Sequence, residues 1–156
     1  MDMMLRQHGP HDPGLAAILT LIQTSFAYMD NVVLPPSSMY RLDHAAMQNH
    51  ARNDELWSIG PPLAACAVFQ VKDHALYIGK FSVAAPYLGQ GLARQLVEHA
   101  ALRAKALMLP ALELQTRIEL THNHAAFAAM GFREVGRKSH AGYTAPTSIT
   151  FRKDLP

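Results

Sequence analysis

Residues 76–94, LYIGKFSVAAPYLGQGLAR, constrain the fold of this chain more than any other stretch. An apolar run gives way to Ala84-Ala85-Pro86, and Gly89-Gln90-Gly91 then opens directly into a helix-forming segment that carries Arg94. Glycine at these two places lets the backbone turn through conformations closed to other residues, so consecutive amide N–H groups can converge on one anion. The helix behind the turn adds its unpaired N–H groups and the positive end of its dipole. Two glycines also suit a purely steric strand-to-helix turn, so the spacing has to discriminate. A dinucleotide fingerprint G-x-G-x-x-G would need glycine where Arg94 stands. No Gly-Lys-Ser/Thr follows, which removes a nucleoside triphosphate loop. What is left is a compact Gly-x-Gly-x-Ala turn, suited to a phosphate group.

The flanking sequence supplies a sheet and several helices. Residues 3–7 read as a short edge strand. Asp12-Pro13 reads as a helix cap followed by proline at the first helical position, and Leu15, Ile18, Leu19, Ile22 and Phe26 recur at helical spacing to about Tyr28. Asp30-Asn31 and Pro35-Pro36-Ser37-Ser38 break that pattern, and a weaker helix spans about Asp43 to Ala51. Leu56–Ile59, residues 63–71 and Leu76–Val83 read as three strands joined by Gly60-Pro61-Pro62 and Lys72-Asp73-His74, which implies an antiparallel meander. The helix after Gly91 presents Leu92, Leu96, Ala100, Ala104 and Leu107 on one face, with Arg94, Glu98 and Lys105 toward solvent, and Pro110 ends it. Ala111–Ile118 is then a strand parallel to 76–83, because a helix connects the two. A short helix from about Asn123 to Met130 stops at Gly131. Phe132–Arg137 and Thr147–Arg152 are the last strands, linked through His140-Ala141-Gly142-Tyr143. The expected product is one α+β domain over residues 1–156, without repeats or linkers.

Composition narrows the function. Apolar residues make up 49% of the chain and charged ones 17%, enough to close a real core. A net charge of +2, with Lys and Arg scattered, offers no stripe for nucleic acid. No apolar run approaches the roughly 18 residues of a membrane span, and no basic-then-apolar leader opens the chain. The single cysteine, Cys66, lies in an apolar run with nothing beside it to lower its pKa. It reads as a core thiol and as a sign of a reducing compartment. A cytoplasmic location is expected, with no nucleic-acid or membrane partner, and a homodimer stays open.

The glycine turn resembles motif A of the GCN5-related N-acetyltransferase (GNAT) family, whose pattern Arg/Gln-x-x-Gly-x-Gly/Ala holds the pyrophosphate of acetyl-coenzyme A. Gly91 takes the first small position and Ala93 the second, Gly89 and Gln90 fill the variable places, and Leu88 stands where the family has Arg or Gln. Binding there runs mainly through backbone amides, which Leu88 is expected still to provide. The segment Asn123 to Phe132 resembles motif B, in which an Asn opens a short helix ending in Gly-Phe and holds the pantetheine arm. That role maps onto Asn123. The resemblance covers about residues 63–152, and the first sixty match in helix layout only. It implies a mixed, mostly antiparallel sheet flanked by helices on both faces. The central parallel strands, 76–83 and 111–118, are expected to splay because a bulge re-aims the first. The freed backbone groups of Phe81, Ser82 and Val83 then need partners, and the pantetheine arm takes that place. The cofactor-binding set so implied is Phe81, Ser82, Val83, Leu88, Gly89, Gln90, Gly91, Leu92, Ala93, Arg94, Asn123 and Phe127.

The family implies direct attack of an amine on the thioester, with acetyl-CoA as co-substrate and no metal. The Val83 N–H is placed to stabilise the developing oxyanion. The tyrosine that often protonates the leaving thiolate, four residues before the motif B glycine, is here Phe127, which has no proton to give. Losing a general acid costs about 100- to 10,000-fold, although a thiol with pKa near 8.5 also departs tolerably unaided. Tyr143, in the last loop, is the candidate replacement, and equally a rim aromatic that shapes the pocket. No general base stands out. Glu113 and Glu119 read as solvated or structural carboxylates, and His74 as a surface residue. His122 and His124 lack the acidic or thiol partner a metal site needs. Acceptor choice in the family falls to the first helices, their connecting loop and the last loop. That points to Tyr28, Asp30, Ser37, Ser38, Tyr40 and Arg41, with His140 and Tyr143; Asp30 suits a cationic amine and Arg41 a carboxylate. The expected activity is N-acetyl transfer to a primary amine of a small molecule or peptide. A catalytically silent acyl-CoA-binding or sensing module, and O-acyl or longer-acyl transfer, are the alternatives.

Overall fold

A computed structural model describes residues 3–27 and 38–156, the side chains of Ser38 and Tyr40 excepted. Its elements in chain order are β1 (Met4–His8), α1 (Leu15–Ala27), α2 (His44–Asn53), β2 (Glu55–Gly60), β3 (Ala65–Val71), β4 (Leu76–Val83), α3 (Leu92–Ala106), β5 (Ala111–Arg117), α4 (Thr121–Ala129), β6 (Arg133–Lys138) and β7 (Ser148–Asp154). The strands form one seven-stranded sheet in the order β1-β2-β3-β4-β5-β7-β6. Strands β1 to β4 are the expected antiparallel meander. Strands β4 and β5 are parallel because α3 carries the chain back between them.

Strand β3 shows why residues 63–71 read as an unbroken apolar run: it is covered on both faces. On one side α1 and α2 bury Leu15, Ile18, Ile22 and Met47 against Leu56, Cys66 and Val68. On the other, α3 buries Leu96, Val97, Ala100 and Ala104 against Ile59, Phe69, Leu112 and Leu114. Each such fully buried aliphatic side chain contributes about 1.5–3 kcal/mol. Cys66 is wholly buried, and burial pushes its thiol up to about 12, so it packs and does not react.

Several boundaries differ from the sequence reading. Helix α1 begins at Leu15, because the Asp12 carboxylate accepts the Gly14 N–H at 2.7 Å and also engages His8 and Arg6. Asp12-Pro13 is thus a turn ahead of the helix, not its first step. Asp43 does cap α2, its Oδ1 accepting the Ala46 N–H at 2.8 Å. Helix α3 stops at Ala106, and Leu107, expected on the apolar face, is an exposed capping residue. Helix α4 begins at Thr121, two residues before Asn123. Leu120 is buried against Phe26, which anchors the chain there, and its carbonyl accepts the Asn123 N–H at 3.0 Å. No helix among the described residues is long and apolar enough to cross a membrane.

Candidate active site

Strands β4 and β5 pair only at Leu76–Leu112 and Tyr77–Glu113, although both run on for several residues. The other edge of β4 is irregular as well. Its register against β3 changes between Cys66–Ser82 and Val68–Gly79, so β4 carries one extra residue opposite Ala67. Lys80 sits in this bulge at φ 49°, a strained value for a residue with a side chain. Beyond the bulge the Ala84 N–H donates to Ala64 O at 2.8 Å, facing β3. By strand alternation Ser82 also faces β3, while the Val83 N–H and C=O face the gap toward β5. On the stretch of β5 that no longer pairs with β4, Thr116 is buried and its Oγ1 has no hydrogen-bond partner among the described residues. The wedge therefore has polar backbone facing it from β4, and Thr116 lies on the unpaired stretch of β5.

The glycine turn closes one end of β4. Gly89 and Gly91 hold φ of 76° and 80°, and a side chain added at either would meet no atom within 4 Å. Glycine is needed here for its dihedral angle, and the open space leaves room for a ligand against the backbone. The α3 ladder starts with the Gln95 N–H to Gly91 O at 3.0 Å, so the amides of Gly91, Leu92, Ala93 and Arg94 lie ahead of it. No acidic residue occupies the first turn. Gln90 and Arg94 are exposed beside it. Leu88 corrects the sequence reading: its N–H donates to Ala85 O at 3.3 Å in a preceding 3-10 turn, so that amide is already engaged. Its side chain is 64% exposed.

Across the wedge, Phe127 of α4 meets Phe81 of β4 edge-on at 6.2 Å, and it also contacts Phe132 at 5.8 Å and Phe151 at 6.5 Å. It is a half-buried member of an aromatic cluster, with no hydroxyl anywhere in it. Asn123, the third residue of α4, is likewise half-buried. His124 is structural: its Nε2 bonds Arg117 O at 3.0 Å and its ring lies 5.6 Å from Phe151.

Arg117 of β5 pairs with Ser148 of β7, so the loop 139–147 stands at the same end of the sheet as the open wedge. Within it the His140 N–H donates to Thr147 Oγ1 at 2.9 Å, and His140 Nδ1 contacts the same oxygen. Burial holds the His140 imidazole below its ordinary pKa, and Arg117 adds to this while Glu119 opposes it. Burial also lowers Arg117, against Glu119 and Tyr143. The structure thus brings His140, Tyr143, Arg117 and Glu119 into one neighbourhood. Tyr143 is partly exposed, and its N–H bonds His140 O at 3.0 Å. Arg41 is exposed at the end of a separate 3-10 turn packed near α1. Tyr28, Asp30 and Ser37, with the side chains of Ser38 and Tyr40, lie outside the described residues. Glu113 binds Arg152 at 2.6 Å at the paired end of β4 and β5, far along the strand from the wedge mouth, and His74 is exposed. The sequence reading passes over Thr116, Arg117 and Thr147. Polar residues closing otherwise apolar strands were the available signal.

The sequence model of the acetyltransferase (GNAT) family matches residues 17–132. The chain belongs to the GNAT acetyltransferase family. Among the solved structures that share its fold are three acetyltransferases. A GNAT acetyltransferase from Elizabethkingia anophelis, with acetyl-CoA bound, is 18% identical over 99% of both chains, with a TM-score of 0.73. The PaiA N-acetyltransferase from Thermoplasma acidophilum, in complex with coenzyme A, is 10% identical over 99% of this chain and 100% of that one, with a TM-score of 0.79. The ribosomal-protein-S18-alanine N-acetyltransferase from Escherichia coli is 20% identical over 97% and 94%, with a TM-score of 0.72. No functionally curated protein matches this GNAT chain by sequence.

Proposed function

We propose that this GNAT protein transfers an acetyl group from acetyl-CoA to a primary amine of a small molecule or peptide. The observation that carries the reading is the coincidence of an unzipped β4 edge with an uncapped helix N-terminus just beyond its end. Acetyl-CoA, when bound, supplies the activated thioester. The donors of Gly89, Gln90, Gly91, Leu92, Ala93 and Arg94 suit its pyrophosphate. The edge formed by Phe81 and Val83, with Thr116 and Asn123, suits the amides of its pantetheine arm, and Phe127 packs beside them; Ser82, expected in this set, has its backbone turned to β3 and its hydroxyl on Lys80 O. Relatives with acetyl-CoA or coenzyme A bound support the choice of ligand.

The Val83 N–H faces the gap and donates to the carbonyl oxygen as charge develops on it. A preorganised donor of this kind is worth about 2.7–4 kcal/mol of barrier. Tyr143 is the proton donor to sulfur in this reading, and Arg41 and His140, with Tyr28 and Asp30, are the acceptor-side residues. One observation favours a second reading, a silent acyl-CoA sensor: the family's usual proton donor is replaced by a phenyl ring locked among three others.

A panel of amines separates the two, containing amino-acid α-amines, peptide N-termini, a lysine side chain and a diamine, with thiol release from acetyl-CoA as readout. Acetyl transfer predicts release with at least one amine. Binding of acetyl-CoA without release on any of them establishes the sensor. In the active case Tyr143→Phe lowers turnover and leaves cofactor affinity intact; wild-type turnover removes Tyr143 from the chemistry.

A further inference from the structure

An amine at neutral pH must lose a proton before it attacks. Resting on the acetyl-transfer reading, we propose that His140 is the group that takes this proton, with Thr147 as the positioning residue that keeps its Nε2 bare. The support is a hydrogen-bond count at one hydroxyl. Thr147 Oγ1 has one proton to give and two lone pairs to fill. It accepts the His140 backbone N–H at 2.9 Å, and it lies 3.3 Å from Lys138 O and in contact with His140 Nδ1. Lys138 O only accepts; it already takes the Thr147 N–H at 2.8 Å and has a second lone pair for the hydroxyl proton. Giving the hydroxyl proton to Lys138 O makes Nδ1–H the donor to Oγ1, and every atom of the group is then satisfied. The other tautomer leaves the Lys138 contact without a proton and one Oγ1 lone pair unused, in a side chain buried from water.

The favoured tautomer puts the lone pair on Nε2, which no described residue hydrogen-bonds. This separates His140 from the histidines whose rings are spent on structure. His8 is held through both nitrogens, and His124 by the Arg117 carbonyl. The charged and titratable groups around His140 are Arg117 and Glu119 at the end of β5 and Tyr143 in its own loop. Burial and Arg117 disfavour the imidazolium, Glu119 favours it, and the net direction is toward a ring that is neutral at pH 7.

The ammonium form of the acceptor gives one proton to Nε2, and the freed lone pair forms the C–N bond at the thioester carbonyl. The C–S bond then breaks with its electron pair leaving on sulfur, and the second amine proton reaches that sulfur through the adjoining donor or solvent. The products are amide, thiol and an imidazolium that returns its proton to water.

Two measurements test this. The first follows thiol release from acetyl-CoA against pH with the best amine of the panel, in wild type, His140→Gln, Thr147→Val and Thr147→Ser. Wild type should show an acid limb below the ordinary histidine value. His140→Gln should lose about 100-fold or more in turnover and lose that limb, with coenzyme A affinity unchanged. Thr147→Val should fall in the same direction and Thr147→Ser should recover. The second is nitrogen NMR of the imidazoles in the protein alone, which should find the His140 proton on Nδ1. A ring proton on Nε2, or an acid limb preserved in His140→Gln, overturns the inference even if acetyl transfer stands. Absence of thiol release in wild type with every amine overturns the acetyl-transfer reading, and the base assignment falls with it whatever the NMR shows.

Discussion

Gly91 holds φ 80° immediately before α3, and a methyl group there has space but not a comfortable backbone. Gly91→Ala should cost about 1–2 kcal/mol of stability and weaken coenzyme A binding, read by thermal melting and calorimetry. Unchanged binding would show that the turn does not meet the phosphates. Leu88→Arg tests the same turn in the opposite sense: an exposed guanidinium beside the amides should tighten coenzyme A about twofold to fivefold, and unchanged affinity would mean that the side chain never reaches the pyrophosphate. Both variants are argued from residues legible in the sequence, because glycine spacing reports backbone conformation directly. The engaged Leu88 amide and the three phenylalanines that contact Phe127 were not legible. They depend on which carbonyl and which strands come near, and spacing carries no such information.

Helix α3 is fastened to the sheet by more than its apolar face. Arg103 holds Glu55 of β2 through two hydrogen bonds of 2.8 Å, and His99 lies one turn away with its ring 4.2 Å from Trp57. The hydrogen bond from Arg103 is the first cause of a lowered Glu55 pKa, while burial leads in lowering His99. Both groups bind protons more readily when unfolded, so both make the fold weaker in acid, in separate windows. His99 stays neutral without cost above its ordinary value of 6.5, and its contribution is lost as pH falls from there toward its lower folded pKa. Glu55 contributes fully above 4.5 and is lost as pH falls through its own lowered folded value. Denaturant unfolding against pH should therefore give a shallower slope between pH 6.5 and 5 in His99→Phe than in wild type, with the drop below pH 4.5 kept. An unchanged upper slope would remove His99 from the account. At this scale the elements were largely readable, since periodicity and turn chemistry act locally. The start of α4 was not, because burial of Leu120 against Phe26, a contact across almost a hundred residues, decides it.

In the whole molecule one irregularity organises the rest. Strand β4 is held by β3 along its full length but pairs with β5 at only two positions, and its extra residue near Lys80 lies just beyond the last of them, Tyr77. The sheet thus has a gap at its centre without losing continuity. The helix that bridges β4 to β5 starts at the open end of that gap, and the last loop stands at the same end. The parallel pairing followed from the intervening helix, and the splay was expected only through the family resemblance. The role proposed for His140, by contrast, came from contacts that join Lys138, His140 and Thr147 across a loop. The most direct test of the central claim is titration calorimetry of coenzyme A into the folded wild-type protein. Saturable binding of one coenzyme A per chain is the predicted result. A flat titration, with circular dichroism showing the native fold intact, would contradict the wedge-and-turn account outright.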